Sequence, residues 1–368
     1  MKVLVTGANG FIGKNLIVTL KKMLHVKILT FSKDNSLEDL TKLVKKSDFI
    51  FHFAGINRPK NVGEFYKGNV DLTKQIVQIL QKDKRCIPIL LSSSSQVGND
   101  SDYAKSKKEA EDVIKEYSSA YDVPCFIYRL PNVFGKWSKP NYNSVISTWC
   151  YNITRDIDIQ VNSRDTELSL VYIGDVIDTF INHLYLTQKN EIFCEVKKVY
   201  KKSLGEIEDL LCKFKDSRET LLIPNIASGF ERVLYATYLS YLPHDKFSYK
   251  LSGHKDARGT FYEILKTLDS GQLGISTTKP GITRGNHYHN IKNEKFLVIK
   301  GEALIELRDV FNDDIIQYKV SEKVLEIVEM IPGYTHNITN TGSNDMILLM
   351  WANENYNPDA PDTNFMKV

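Results

Sequence analysis

The chain has 368 residues, 42% of them hydrophobic and 25% charged, an ordinary globular balance that is too long for one core and points to two domains. A net charge of +3, with Lys and Arg scattered among Asp and Glu, gives no footprint for nucleic acid, and no apolar run approaches the ~20 residues of a membrane span. The five cysteines are dispersed with no C-x-x-C pair, which excludes a disulfide framework and leads us to expect a cytoplasmic protein.

Residues 2–6, "KVLVT", read as a strand that stops at "GANGFIG", after which Ile12, Leu16, Ile17 and Leu20 recur at helical spacing. Gly7, Gly10 and Gly13 in a strand–turn–helix context form a dinucleotide fingerprint: the first glycines admit a pyrophosphate to backbone N–H groups, and the last lets helix pack on strand. "VKILTF", "FIFHFAG", "PILLSSSS" and "CFIYRL" read as further strands, with helical text such as "VDLTKQIVQILQKD" and "AKSKKEAEDVIKEYSSAY" between them. Alternating elements of this kind imply a Rossmann-type, doubly wound parallel sheet. The second strand ends at Ser32 and Lys33 with no acid before Asp34, which suits the 2′-phosphate of NADPH better than the free ribose of NADH.

In "LLSSSSQVGNDSDYAKSKKEAE", Tyr103 and Lys107 lie four apart at a helix start, so they share a face, and a serine cluster precedes them at a strand end. These residues resemble the extended, nucleotide-sugar-modifying branch of the short-chain dehydrogenase/reductase superfamily. The resemblance covers roughly residues 1–245 and includes "FHFAG", "RLPNVFG" and "LVYIGDV". It implies that Gly7, Asn9, Gly10, Phe11, Ile12, Gly13, Ala54 and Gly55 touch the cofactor and that Tyr103 donates a proton to a carbonyl oxygen. Lys107 would hold the nicotinamide ribose and lower the tyrosine's pKa, and Ser94, or failing it Ser93, would polarise the carbonyl.

The text changes near 243–252. Short β-rich runs separated by Gly, Asn and Asp dominate the rest, from "GTFYEIL" to "MILLMWANE", and suggest an all-β jelly-roll barrel. Gly281, His287-x-His289, Glu294 and Gly301 keep a fixed register, and His336 follows in "PGYTHNITN". Alternation puts His287 and His289 on one strand face, and with Glu294 and His336 they make a plausible set for zinc or another borderline divalent ion. The spacing resembles the cupin superfamily over about residues 252–368. "HKDARGTFYE" and "TRGNHYHN" are also similar to metal-free sugar-nucleotide epimerases, in which the histidine matching His287 is the base. His287 is therefore either ligand or base, and Lys255, Arg258 and Arg284 are candidate substrate-binding cations.

A ketosugar reductase and an epimerase-like barrel share an apt substrate, because a ketone at C4 acidifies C3 until reduction removes it. The whole arrangement resembles the CapF family of bifunctional capsular-polysaccharide enzymes. That resemblance implies a homodimer acting on a UDP-linked 2-acetamido-2,6-dideoxy-4-keto-hexose, with UDP-2-acetamido-2,6-dideoxy-L-talose, the precursor of UDP-N-acetyl-L-fucosamine, as product. The alternative is a 4-ketosugar reductase whose barrel is a non-catalytic, metal-stabilised dimerisation module.

Overall fold

The computed structural model describes residues 1–185 and 192–368. The chain divides into two compact units, Met1–Leu211 with Arg232–Leu242, and Cys212–Glu231 with Pro243–Val368. The second unit thus takes up a segment well before the change of text near 243–252. The reason is local pairing: the backbone of Leu221 and Ile223 exchanges hydrogen bonds with Lys266, so this stretch is held on a strand of the second unit.

The first unit is built on β1 (Lys2–Thr6), β2 (Lys27–Phe31), β3 (Phe49–His52), β4 (Ile89–Ser94), β5 (Cys125–Leu130), β6 (Asn132–Phe134), β7 (Glu167–Tyr172), β8 (Phe193–Cys194) and β9 (Tyr200–Ser203). A six-stranded parallel sheet runs β2-β1-β3-β4-β5-β8, and β6-β7-β9 form a small second sheet. Val3, Val5, Phe51, Leu90 and Phe126 are buried on one face of the large sheet, and Leu4, Ile50, Ile89, Leu91 and Ile127 on the other. Strands apolar on both faces are what a parallel sheet covered by helices requires. The chain order reverses between β1 and β3, which opens the crevice where such sheets take ligands.

The second unit contains β10 (Gly253–Asp256), β11 (Gly259–Lys266), β12 (Gln272–Thr278), β13 (Thr283–Tyr288), β14 (Glu294–Lys300), β15 (Glu302–Asp309), β16 (Ile315–Ser321), β17 (Ile327–Met330), β18 (Tyr334–Asn340), β19 (Met346–Ala352) and β20 (Asn364–Phe365). They form two antiparallel sheets, β10-β11-β12-β19-β14-β17 and β16-β15-β18-β13-β20. Alternate residues such as Phe296 and Val298, or Ala303, Ile305 and Leu307, point inward to a shared core. The register of β13 against β18 slips between Gly285 and His287: Asn286 is an extra residue with a left-handed φ of 61°, and His287 lands opposite His336. Among the described residues no helix is long and apolar enough to cross a membrane.

Candidate active sites

In the first unit the turn after β1 is tight enough to exclude side chains. A Cβ at Gly7, whose φ is 66°, would lie 2.7 Å from the Ala54 nitrogen, and one at Gly13 would lie 2.3 Å from the Gly7 carbonyl oxygen. The helix Phe11–Leu20 begins at Gly10 with no side-chain cap, so its first N–H groups face the crevice. Phe11 and Ile12 pack against the sheet core, which leaves their backbone as the part available to a ligand; Asn9 is exposed. The turn after β2 is self-contained: the Ser32 N–H donates to Asn35 Oδ1 at 2.8 Å, and the exposed Lys33 projects beside it. This cradle fits the diphosphate of a nicotinamide dinucleotide.

The helix Asp102–Tyr121 starts on a Ser101 cap, whose hydroxyl accepts from the Ala104 N–H at 3.2 Å, and so places Tyr103 in its first turn. Lys107, one turn on, is buried and donates to the Ser92 carbonyl at 2.6 Å; its Nζ lies 3.8 Å from where a Gly55 Cβ would stand. Lys107 therefore adjoins Ala54–Gly55, the segment expected to touch the cofactor. The two serines part company: Ser93 donates its hydroxyl to Glu111, whereas the Ser94 side chain acts on the Tyr103 phenol and lowers its pKa.

The expected depression of the Tyr103 pKa by Lys107 is not found. Burial raises the Tyr103 value, and the Ser94 side chain opposes it. Lys107 is spent on the Ser92 carbonyl, and burial lowers its own pKa to about 8. Around Tyr103 stand groups that the motif does not reveal. Tyr142 raises its pKa further, and the Tyr142 ring lies under Arg58 (5.6 Å) and Lys139 (5.3 Å). Arg58 Nε donates to the Asn143 side-chain Oδ1 at 2.7 Å. These cations come from loops 35 or more residues from Tyr103, where only their charge is readable in the sequence.

In the second unit β13, β14 and β18 bring His287, His289, Glu294 and His336 together, one ligand atom of each within 4.8 Å of the others. Glu294 Oε2 lies 3.5 Å from His289 Nε2 and 3.6 Å from His336 Nε2, beyond hydrogen-bond length, and both nitrogens are buried without a partner. The opposite edge of His289 is fixed: Nδ1 donates to the Asp362 carbonyl, so the Nε2 lone pair faces the cluster. The Asp362 carboxylate in turn accepts the N–H groups of Asn290, Ile291 and Lys292 at 2.7–3.0 Å. Two orphaned imidazole nitrogens converging on a buried carboxylate fit a borderline divalent cation. Sequence reasoning missed the Asp362 clamp, 73 residues downstream, and Lys292, whose ammonium sits 2.8 Å from Glu294 Oε1.

A cavity of about 550 Å³ opens beside the cluster, and its wall includes Arg258, Arg284, His287, Lys292, Glu294 and His336. His287 differs from the buried His289 and His336 in being only partly covered. Burial and the neighbouring imidazoles of His336 and His289 lower its pKa to about 4. Arg284 donates to Thr278 Oγ1 at 3.0 Å, and Arg258 pairs with Asp256 at 2.6 Å. Lys255 alternates to the other side of β10 and is not part of the wall.

The profile of the NAD dependent epimerase/dehydratase family matches residues 3–193, and that of the polysaccharide biosynthesis C-terminal domain matches residues 254–364. The chain is 46% identical over 363 residues to a UDP-2-acetamido-2,6-beta-L-arabino-hexul-4-ose reductase of Pseudomonas aeruginosa, covering 99% of this chain and 98% of that one. The crystal structure of the capsular polysaccharide assembling protein CapF from Staphylococcus aureus superposes with a TM-score of 0.94 at 46% identity, over the full length of both chains. A UDP-glucuronic acid 4-epimerase of Bacillus cereus shares the fold over 66% of this chain and 96% of its own, with a TM-score of 0.57 at 18% identity.

Proposed function

We propose, from the premise that the chain belongs to the CapF family and to the NAD dependent epimerase/dehydratase family, that it is a bifunctional nucleotide-sugar enzyme of capsular polysaccharide synthesis. In this reading residues 1–245 are an NADPH-dependent reductase and residues 252–368 a cupin with 3-epimerase activity. The substrate is a UDP-2-acetamido-2,6-dideoxy-4-keto-hexose. Epimerisation at C3 comes first and reduction at C4 second, giving UDP-2-acetamido-2,6-dideoxy-L-talose. The observation that carries the reductase half is Tyr103 in the first turn of its helix, at the end of the serine strand, with the buried Lys107 one turn on and adjoining Gly55.

Gly7–Gly13, Ala54–Gly55, Ser32 and Lys33 would hold NADPH, which would supply the hydride for C4. Tyr103 then delivers its phenolic proton to O4, Ser94 orients that oxygen, and the Lys107 ammonium beside Gly55 would hold the nicotinamide ribose. In the cavity of the second unit His287 removes the C3 proton. The C–H electron pair moves into the C3–C4 bond and displaces charge onto O4, where Arg258 and Arg284 stabilise it, and a proton returns on the opposite face. His289, Glu294 and His336 would hold a divalent ion, with zinc the expected metal, which would supply positive charge to the site. The partly covered His287 suits the base better than a fourth ligand.

The reading includes a homodimer, supported by the apolar row left exposed on β16 and β17 by Ile315, Ile316, Tyr318 and Ile327 and checked by sedimentation. The central experiment incubates the purified protein with the 4-ketosugar in heavy water. Deuterium is expected at C3 without NADPH, and the L-talo product once NADPH is added, both read by NMR. No deuterium in the wild type, or uptake untouched by His287→Asn, would sink the epimerase role. Absence of ketone-dependent NADPH oxidation would sink the reductase.

A further inference from the structure

The helix that carries Tyr103 and Lys107 holds a third buried group one turn further on. Glu111 is fully buried, and its carboxylate is saturated from two strands: the Ser93 hydroxyl donates to Oε1 at 2.5 Å, and Arg129 donates Nε to Oε1 at 3.0 Å and Nη2 to Oε2 at 2.7 Å. Ser93 and Arg129 are direct partners in the β4–β5 register, so one carboxylate ties both strand ends to the helix. Tying alone does not call for charge, since apolar side chains replace buried ion pairs with little or no loss of stability. A carboxylate here does something apolar groups do not: it acts on Lys107.

The surroundings of Lys107 are short of other charge. From β3 comes His52, 1% exposed and bonded at both ring nitrogens, to Thr6 at 2.7 Å and Thr73 at 2.9 Å. Burial, aided by the Lys107 charge, lowers the His52 pKa to about 3, so this ring is neutral across the working range. β4 offers the Ser92 carbonyl and the loop after β3 the Gly55 backbone, both uncharged. On its own helix Lys107 faces Tyr103 and Glu111, and Arg129 on β5 lies behind Glu111.

We propose that Glu111 is a positioning residue for the reduction: through Ser93 it fixes the end of β4 that presents Ser94, and it is the counter-charge of the Lys107 ammonium, moderated by Arg129. The inference rests on the reductase reading above. Its consequence is a pH signature. Burial lowers the Lys107 pKa to about 8, and Glu111 works against that fall. An ammonium is present below its pKa and lost above it, so turnover that needs it declines as pH rises through about 8. Removing the charge of Glu111 moves the decline to lower pH, and removing that of Arg129 moves it to higher pH.

The test is the pH profile of ketosugar-dependent NADPH oxidation by the full-length protein, as wild type, Glu111→Gln and Arg129→Met. The alkaline limb is expected to shift down by about one pH unit in Glu111→Gln and to shift up in Arg129→Met. A purely structural role predicts lower rates with an unmoved limb; that outcome, or shifts in the same direction for both variants, overturns the inference. If circular dichroism shows that Glu111→Gln does not fold, Arg129→Met decides alone, and a limb that stays put or falls overturns it. A wild type with no turnover at any pH overturns the reductase reading itself, and this inference falls with it.

Discussion

The two sites solve the problem of a buried charge in opposite ways. In the first unit the charge is a cation, Lys107, and the fold completes its surroundings with the Ser92 carbonyl and Glu111. In the second it is an anion, Glu294, which the fold pairs with Lys292 on one oxygen while facing the other with two imidazole nitrogens that have no partner of their own. Unpartnered buried polar atoms are costly unless something satisfies them. The first unit is thus self-sufficient in its electrostatics, whereas the barrel leaves two buried nitrogens beside its carboxylate with room for a further cation.

The contrast can be broken most severely at Tyr103. Tyr103→Phe is expected to slow ketone reduction by about 10²–10⁴-fold while deuterium exchange at C3 continues, because proton delivery is lost in one unit only; NADPH oxidation and NMR on one sample decide. Next in size is the metal. Glu294→Gln is expected to weaken zinc binding by at least about 10–100-fold, a loss typical even of groups that merely support the ligands, and to lower the melting temperature. Metal content by mass spectrometry checks the first and calorimetry the second; unchanged metal content breaks the comparison from the barrel's side.

A smaller effect tests the self-sufficiency of the first unit through His52. Its folded pKa of about 3 is below the 6.5 of an exposed imidazole, so the unfolded chain takes up a proton first as pH falls. Stability is complete above about 6.5 and is lost below it, by up to ~1.4 kcal/mol per pH unit until the folded pKa is reached. Denaturant midpoints for wild type and His52→Gln between pH 7 and 4 should diverge accordingly; parallel curves would remove His52 from the account. The mildest change is Arg58→Ala. Loss of this cation beside Tyr142 is expected to raise KM for the nucleotide sugar about 5–10-fold with kcat nearly unchanged, as for a contact of roughly 1 kcal/mol made equally in ground and transition states.

What was readable in the sequence follows from how local each feature is. The turn Gly7–Gly13 and the pair Tyr103 and Lys107 lie within single strand–turn–helix or helix-start segments, so spacing alone showed their geometry. The alternating strands of the parallel sheet were legible for the same reason. The histidines were visible because a strand's period of two is strict. Glu111 was hidden, since a glutamate in "KKEAEDV" looks like any solvated helix charge until β4 and β5 are packed on it. Arg58, Tyr142 and the Asp362 clamp reach their sites from distant loops, and the pairing of Leu221 and Ile223 with Lys266 is likewise a tertiary event. The raised pKa of Tyr103 depends on burial, which no motif encodes.

The extra residue in β13 has a consequence for how this barrel tolerates change. In an unbroken strand Arg284 and His287, an odd number of positions apart, would project to opposite faces. Asn286 resets the phase, and both side chains reach the same cavity. The short stretch "RGNH" thus works as a reading frame in space: straightening the bulge with Asn286 kept in the ladder would turn either the arginine or the histidine out of the cavity, whereas deleting Asn286 outright would leave the two side chains two positions apart and on one face.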